Sequence, residues 1–245
     1  MSTRSRIQAW VESTVGLHVL RKLPHGVRLS SDVGRLLPHL QIRTVIDVGA
    51  NKGQSALEFV RFYPGADLHC FEPVRSTFDE LQATVGNLPT VRCHRVALGS
   101  HQCSGRMILE GSSDLFWLEE TEGTPAQASR PNSEPVQVTR LADFCGQARI
   151  SHIDLLKIDT EGHDLEVLMG AESLLDAMQI ELVQVEAGMN DDNTRHVSLA
   201  TFIEYLQPKG YRLFGLYEQV HEWPTHKPHL RRSNAVFVSL RAEGD

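Results

Sequence analysis

The chain has 245 residues, 41% apolar and 22% charged. This suits one elaborated domain with a sizeable core and excludes a disordered tail, a collagen-like fibre or a disulfide-stapled miniprotein. Lys and Arg number 24 against 31 Asp and Glu, a net charge of −7, so no basic excess exists to displace counterions and nucleic acid is not an expected partner. Cys70, Cys93, Cys103 and Cys145 form no CxxC pair and read as structural thiols of a reducing compartment. No secretory h-region with a cleavage site and no run near the ~18–20 apolar residues of a membrane span is present. A cytoplasmic, soluble protein is expected, with room for a peripheral membrane contact.

Residues 5–22 place Ile7, Trp10, Val11, Val19 and Leu20 near helical spacing and predict an amphipathic covering helix. A second helix is expected over 31–39, with Ser31 or Asp32 as its N-cap. Residues 1–40 therefore read as an N-terminal helical cover, and 41–245 as the main domain. From residue 43 onward, short apolar runs alternate with helical patterns. TVIDVGA precedes a helix over 55–62, and ADLHCFEP precedes one over 76–85. VRCHRVAL and IDLLKID follow, then a helix over 165–175, IELVQVEAG, and a helix over 198–206. Short strands separated by helices predict βαβ units around a parallel sheet buried on both faces, an α/β, doubly wound fold. YRLFGLY and NAVFVSL have no periodic helix between them, so they are expected to pair antiparallel. Residues 111–135, rich in Ser, Thr, Glu, Gly and Pro yet containing Phe116 and Trp117, read as a long loop serving as lid or substrate wall. The loop 187–197 follows a strand's C-terminal end, where open α/β sheets place their ligands.

The chemistry begins at Val45–Gln54, where a strand ends in Asp47, turns through Gly49 and enters a helix near Gly53. This is not the GxGxxG design that seats a pyrophosphate on a helix N-terminus. An acidic Asp47 with glycines four apart suits a ligand with a cationic end and no phosphate, as S-adenosylmethionine has. Glu72, closing the next strand, is placed to accept hydrogen bonds from both hydroxyls of a ribose. Strand alternation puts Lys157 and Asp159 on one face, opposite Leu156 and Ile158. A lysine within an apolar strand is costly unless paired, so a carboxylate partner is expected. Beyond that strand, His163 is the first choice for a general base and a helix-capping or supporting role is its alternative. Asp159 and Glu161 compete as base, substrate clamp or orienter of His163. Glu186 ends another strand, ready to hydrogen-bond a polyol or to pair with Lys157. Asp191, Asp192 and His196 offer hard-metal ligands, but adjacent carboxylates on a polar loop are ordinarily solvated. Pro224 and Pro228 break up His221, His226 and His229, so no metal is assigned.

The stretches VIDVGANKGQ, FEP, VALGS, LLKIDTEGHDLEVLMGA and QVEAG occur in the order seen in the FkbM family of S-adenosylmethionine-dependent methyltransferases. The resemblance covers roughly 43–240, including VTRLADF at 138–144 and the final NAVFV. It implies a Rossmann-like, seven-stranded methyltransferase sheet with the last strand inserted antiparallel. It also implies S-adenosylmethionine as cofactor and methyl transfer to a hydroxyl of a sugar, glycolipid or polyketide-type acceptor. By matching motif, it implies Asp47, Gly49, Asn51 and Gly53 at the methionine end, Glu72 on the ribose, and Val96, Ala97 and Leu98 beside the adenine. Ser112 and Ser113 resemble a small-hydroxyl stretch near the family's active site, and Trp117 of the adjoining lid is expected to touch substrate. Three other readings stand beside it: an N- or carboxyl-methyltransferase on the same fold, a nucleotide-dependent oxidoreductase, and a non-catalytic cofactor-binding module. The oxidoreductase is disfavoured by the missing third phosphate-loop glycine and by the antiparallel C-terminal strand.

Overall fold

A computed structural model describes residues 22–113, 116–120, 131–222 and 226–243. The covering helix expected over 5–22 therefore lies almost wholly outside the described residues. The strands run in chain order β1 (Thr44–Val48), β2 (Asp67–Phe71), β3 (Val91–His94), β4 (Ala97–Leu98), β5 (Cys103–Ile108) and β6 (Trp117–Glu120), followed by β7 (Ser133–Thr139), β8 (Ile153–Ile158), β9 (Ile180–Gly188), β10 (Tyr211–His221) and β11 (Leu230–Ser239). The helices are α1 (Leu29–Leu36), α2 (Gln54–Phe62), α3 (Arg75–Val85), α4 (Leu141–Ala148), α5 (Asp164–Gly170), α6 (Glu172–Asp176), α7 (Leu199–Leu206) and α8 (Leu240–Glu243).

Seven strands form one sheet in the order β10-β11-β9-β8-β1-β2-β3. Strands β1, β2, β3, β8 and β9 are parallel, and β11 runs antiparallel to both β9 and β10. The chain is thus an α/β, Rossmann-like doubly wound fold with an antiparallel strand inserted at one side. The sheet is buried because its strands alternate apolar residues toward two separate cores. Ile46, Val48, Leu156, Ile158 and Val183 pack with Leu168, Leu175 and Phe202 on one face. Val45, Leu68, Leu155 and Leu182 pack with Ala56, Leu81 and Val85 on the other. The order reverses between β1, which leads to β2, and β8 on its other side. In open α/β sheets this switch point leaves a crevice at the strands' carboxyl ends.

Three expectations shift. Helix α1 begins earlier than 31–39, because Asp32 is no N-cap: its buried carboxylate accepts hydrogen bonds from Gly26 N, Arg35 and Tyr217 and ties the helix to β10. The helix expected over 165–175 is broken after Gly170, where a Cβ would lie 2.0 Å from the Gly99 carbonyl oxygen, so the chain bends around that contact. The long loop expected over 111–135 is bounded by strand at both ends. Trp117–Glu120 pairs with β5, and β5 pairs with Ser133–Thr139, in a second sheet of order β4-β7-β5-β6. Its inner face packs Met107, Val136 and Val138 against Val74 and Ala97, a core too small to show in composition.

Candidate active site

A cavity opens above the carboxyl ends of β1, β2 and β8, with the small sheet as its far wall. Its floor is the turn after β1. Gly49 adopts φ +74°, and a Cβ there would sit 1.9 Å from the Asp159 carbonyl oxygen, so only glycine lets the turn pass the β8 exit. The amides of Gly49 and Ala50 both donate to the Phe71 carbonyl at 3.0 Å, fixing the turn against β2. Asn51 follows at φ +46° and its Oδ1 accepts from Ser113 Oγ at 2.9 Å. Gln54 and Ser55, the first residues of α2, line the cavity, and the first amides of a helix have no partner within it.

Glu72 lines the same cavity at 7% exposure, with Oε1 accepting from Val74 N at 2.9 Å. Burial pushes its carboxyl up to about 7, against the opposing pull of the Val74 and Asn51 amides. Ala97 and Leu98 are buried and, with Phe71, Val96 and Met107, make an apolar wall.

Two residues expected at the methionine end are not among those that line the cavity. Asp47 is fully buried behind the cavity, because it pairs in register with Lys157 and its Oδ1 lies 3.0 Å from Nζ. Lys157 also reaches Asp159 at 3.4 Å and the Gly49 carbonyl at 3.3 Å, which supplies its expected carboxylate twice over. Burial pulls Lys157 down, but the two carboxylates outweigh it and hold the amine above its usual range. Gly53, at φ +94°, backs onto Leu81, Thr84 and Val85, so it serves the packing of α2 on α3. Ser112 is exposed and lines a neighbouring groove with Lys52 and Ser76, whereas Ser113 lines both.

At the other end, β8 exits through Asp159, Thr160, Glu161 and His163, all on the cavity wall. Glu161 takes φ +57°, rarely adopted outside glycine and Asn or Asp. At Gly162, φ +106°, a Cβ would meet the Arg195 carbonyl oxygen at 2.3 Å. Asp164 stabilises this exit: Oδ1 accepts from Thr160 N at 2.9 Å and Oδ2 from Glu186 N at 3.2 Å. Burial raises Asp164 to about 7. Arg195 Nε donates to Glu161 Oε2 at 2.7 Å. Burial, then the nearby Glu186, raises Glu161, and Arg195 opposes the shift. Glu186, 4% exposed, is held by Arg232 and faces His196, with Nε2 2.8 Å from Oε2. It does not pair with Lys157. His163 precedes α5 without a side-chain capping bond, and its Nδ1 lies 3.7 Å from Glu166. A smaller recess walled by Trp117, Glu161, Gly162, His163 and Arg195 adjoins the main cavity, sharing Leu118, Glu161 and His163 with it.

Asp191, Asp192 and His196 do not assemble: both aspartates are exposed, while His196 is buried against Glu161 and Glu186. The sequence reading also missed Arg195, Arg232 and Asp164. Each acts through a contact with a residue distant in the chain or a backbone amide, and periodicity carries no trace of either.

Comparison with known proteins bears on this geometry. The Methyltransferase FkbM domain matches residues 47–213. The chain is 29% identical over 158 residues to Methyltransferase 1 of Beauveria bassiana, covering 56% of this chain and 64% of that protein. It is 27% identical over 176 residues to the 2-O-methyltransferase NoeI of Sinorhizobium fredii, covering 64% and 71%. It is 30% identical over 178 residues to the 31-O-demethyl-FK506 methyltransferase FkbM of Streptomyces tacrolimicus, covering 60% and 65%. The first and third matches thus span a little under two thirds of those relatives' length. No helix among the described residues is long and apolar enough to cross a membrane. Because the domain takes in more than half of the chain, from the strand that opens the cavity to the one that follows α7, the protein belongs to the FkbM family of S-adenosylmethionine-dependent methyltransferases.

Proposed function

We propose that the protein is an O-methyltransferase that moves the methyl group of S-adenosylmethionine to a hydroxyl of a sugar, glycolipid or polyketide-type acceptor. The observation that carries this reading is the single cavity with Glu72 at one end and Glu161 and His163 at the other, opening beside Trp117 onto a second recess. The residues fit the cofactor by chemistry. Glu72 is a buried acceptor for a ribose diol, and Phe71, Val96, Ala97 and Leu98 offer an apolar slot for a purine. The first amides of α2 suit a carboxylate, and Asp159, 35% exposed beside Lys157, suits an ammonium. When bound, the cofactor supplies an electrophilic methyl group. Two of the relatives reported above are named for O-methylation, which supports a hydroxyl as the recipient.

Methyl transfer is an in-line displacement, so the chain's task is alignment together with removal of the hydroxyl proton. His163, on the shared wall of cavity and recess, takes that proton. Glu161, held by Arg195, hydrogen-bonds the acceptor, and Trp117 supports it from the recess. Residues 41–245 constitute the methyltransferase domain, and the four free thiols suit a cytoplasmic setting.

Calorimetry with S-adenosylmethionine, and NAD as control, tests the cofactor; no measurable affinity for the former overturns the reading. Labelled methyl transfer to a panel of saccharides and macrolides tests the acceptor. His163→Gln is expected to lower kcat by about 100-fold or more while leaving cofactor affinity within about twofold. An unchanged kcat removes His163 from the proton's path.

A further inference from the structure

We propose that Glu161, Glu186 and His196 form a divalent-cation site beside the acceptor recess. They come from three segments, the β8 exit, the end of β9 and the loop after it, and one ligand atom from each lies within 4.8 Å of the others. An ion bonded at about 2.0–2.2 Å to imidazole and carboxylate would close those gaps with small side-chain movements.

The hydrogen bonds determine what His196 presents. Asn193 Oδ1 accepts from the backbone amides of Arg195 and His196, each at 3.2 Å, so it is the carbonyl oxygen of that side chain. The same oxygen lies 3.0 Å from His196 Nδ1, which must therefore carry the proton. Nε2 is then the ring atom that faces Glu186 Oε2, 2.8 Å away. That oxygen is buried and faces only His196 and the site, while Arg232 holds Oε1. A ring nitrogen and a carboxylate oxygen at this distance, on side chains 5% and 4% exposed, hold a proton or a metal ion between them, and the convergence of Glu161 on the same point favours the ion. A ring nitrogen fixed by a carbonyl on its far side is the arrangement that metal-bound histidines use. Glu161 supplies the third ligand, with Oε2 3.7 Å from Nε2 and a backbone held in the strained left-handed region.

Arg195 and Arg232 stay on the carboxylates as outer partners and offset part of their charge, so binding is weak and the cation exchangeable. Glu161 walls both cavity and recess. An ion held there would lie beside the acceptor recess and would supply Lewis acidity to a hydroxyl bound in it; this last role rests on the proposed function, whereas the site does not.

Mn²⁺ titration of the full chain without cofactor, followed by electron paramagnetic resonance of the free ion, tests the site. One ion per chain is expected. Glu186→Gln and His196→Ala should each weaken binding by more than about tenfold. Glu161→Gln, at a less buried position (19% exposed), should do the same with the fold intact by thermal melt. Asp191→Asn with Asp192→Asn should bind as the parent does. No binding at millimolar Mn²⁺, or equal binding by all variants, overturns the proposal and leaves a proton between His196 and Glu186. Calorimetry with S-adenosylmethionine is a separate measurement, so failure of the methyltransferase reading and failure of the cation site are distinguishable.

Discussion

The two ends of the cavity are made of different material. At the cofactor end the chain uses its backbone: a glycine turn against β2, the start of α2, an apolar wall and one buried carboxylate, Glu72. At the acceptor end it uses charged side chains from separate segments, with Glu161 bonded to Arg195, 34 residues away, and Glu186 to Arg232, 46 residues away. The first end is fixed by neighbours in sequence and by strand register. The second exists only once loops after β8 and β9 meet the antiparallel β11. Behind both lies the buried Asp47–Lys157 pair, joining β1 to β8 where the two ends meet.

Breaking that pair should have the largest effect. Lys157→Met leaves Asp47 unpaired and wholly buried, at a cost of about 3–5 kcal/mol in denaturant unfolding. Asp47→Leu combined with Lys157→Met should recover most of that loss, since two apolar residues leave no stranded charge. A single variant that loses under about 1 kcal/mol would show that the seam between the two ends is held by packing alone.

Next, Glu72 should show opposite signs in binding and in stability. Its folded-state carboxyl sits near 7 against an ordinary 4.5, so the folded protein holds an extra proton between those values. Stability therefore falls as pH rises from about 4.5 to 7, and the penalty is complete above that. Glu72→Gln removes it and should stabilise the protein without cofactor by up to about 3 kcal/mol at pH 8, with little change near pH 4. The same variant should bind S-adenosylmethionine about 10–100-fold more weakly, having lost a charged acceptor for the ribose hydroxyls. Melting curves at both pH values and calorimetry would check the two halves independently. In the parent protein, affinity should rise with pH through about 7 as Glu72 ionises, with proton release on binding below that point. An affinity flat from pH 5.5 to 8.5 would place the ribose elsewhere.

The same division explains what was legible in the sequence. Gly49, Glu72, Asp159 and His163 stand at strand ends or in the turns that follow, and alternation of apolar runs locates strand ends. The parallel strands and the antiparallel pairing of the last two follow from the same signal, whereas the count of seven and the place of the inserted strand come with the family resemblance. That Asp47 and Gly53 lie behind the cavity lining was not legible, because motif position gives no side-chain direction. Asp47 shares β1's inner face with Val45, and that direction leads to Lys157. The small sheet escaped notice because β4 has two residues and β6 four, too few for a period to register. In sequence His196 groups with its neighbours Asp191 and Asp192, where no metal is assigned; the fold instead sets it against Glu161 and Glu186, from the ends of β8 and β9.

The smallest expected effect probes whether the two ends act separately. Trp117 lies on β6 opposite Ile108, 39% exposed, and belongs to the recess but not to the main cavity wall. Its neighbours Phe116 and Leu118 pack into the small sheet's core, so the strand keeps its anchors when the indole is removed. Trp117→Ala should therefore leave melting temperature and cofactor affinity nearly unchanged. Loss of an aromatic face worth about 1 kcal/mol should raise the acceptor KM roughly fivefold at constant kcat. A fall in cofactor affinity of the same size would mean that the recess and the cavity form one cofactor site, and the charged end would then have to be reached from the groove lined by Ser112 and Lys52.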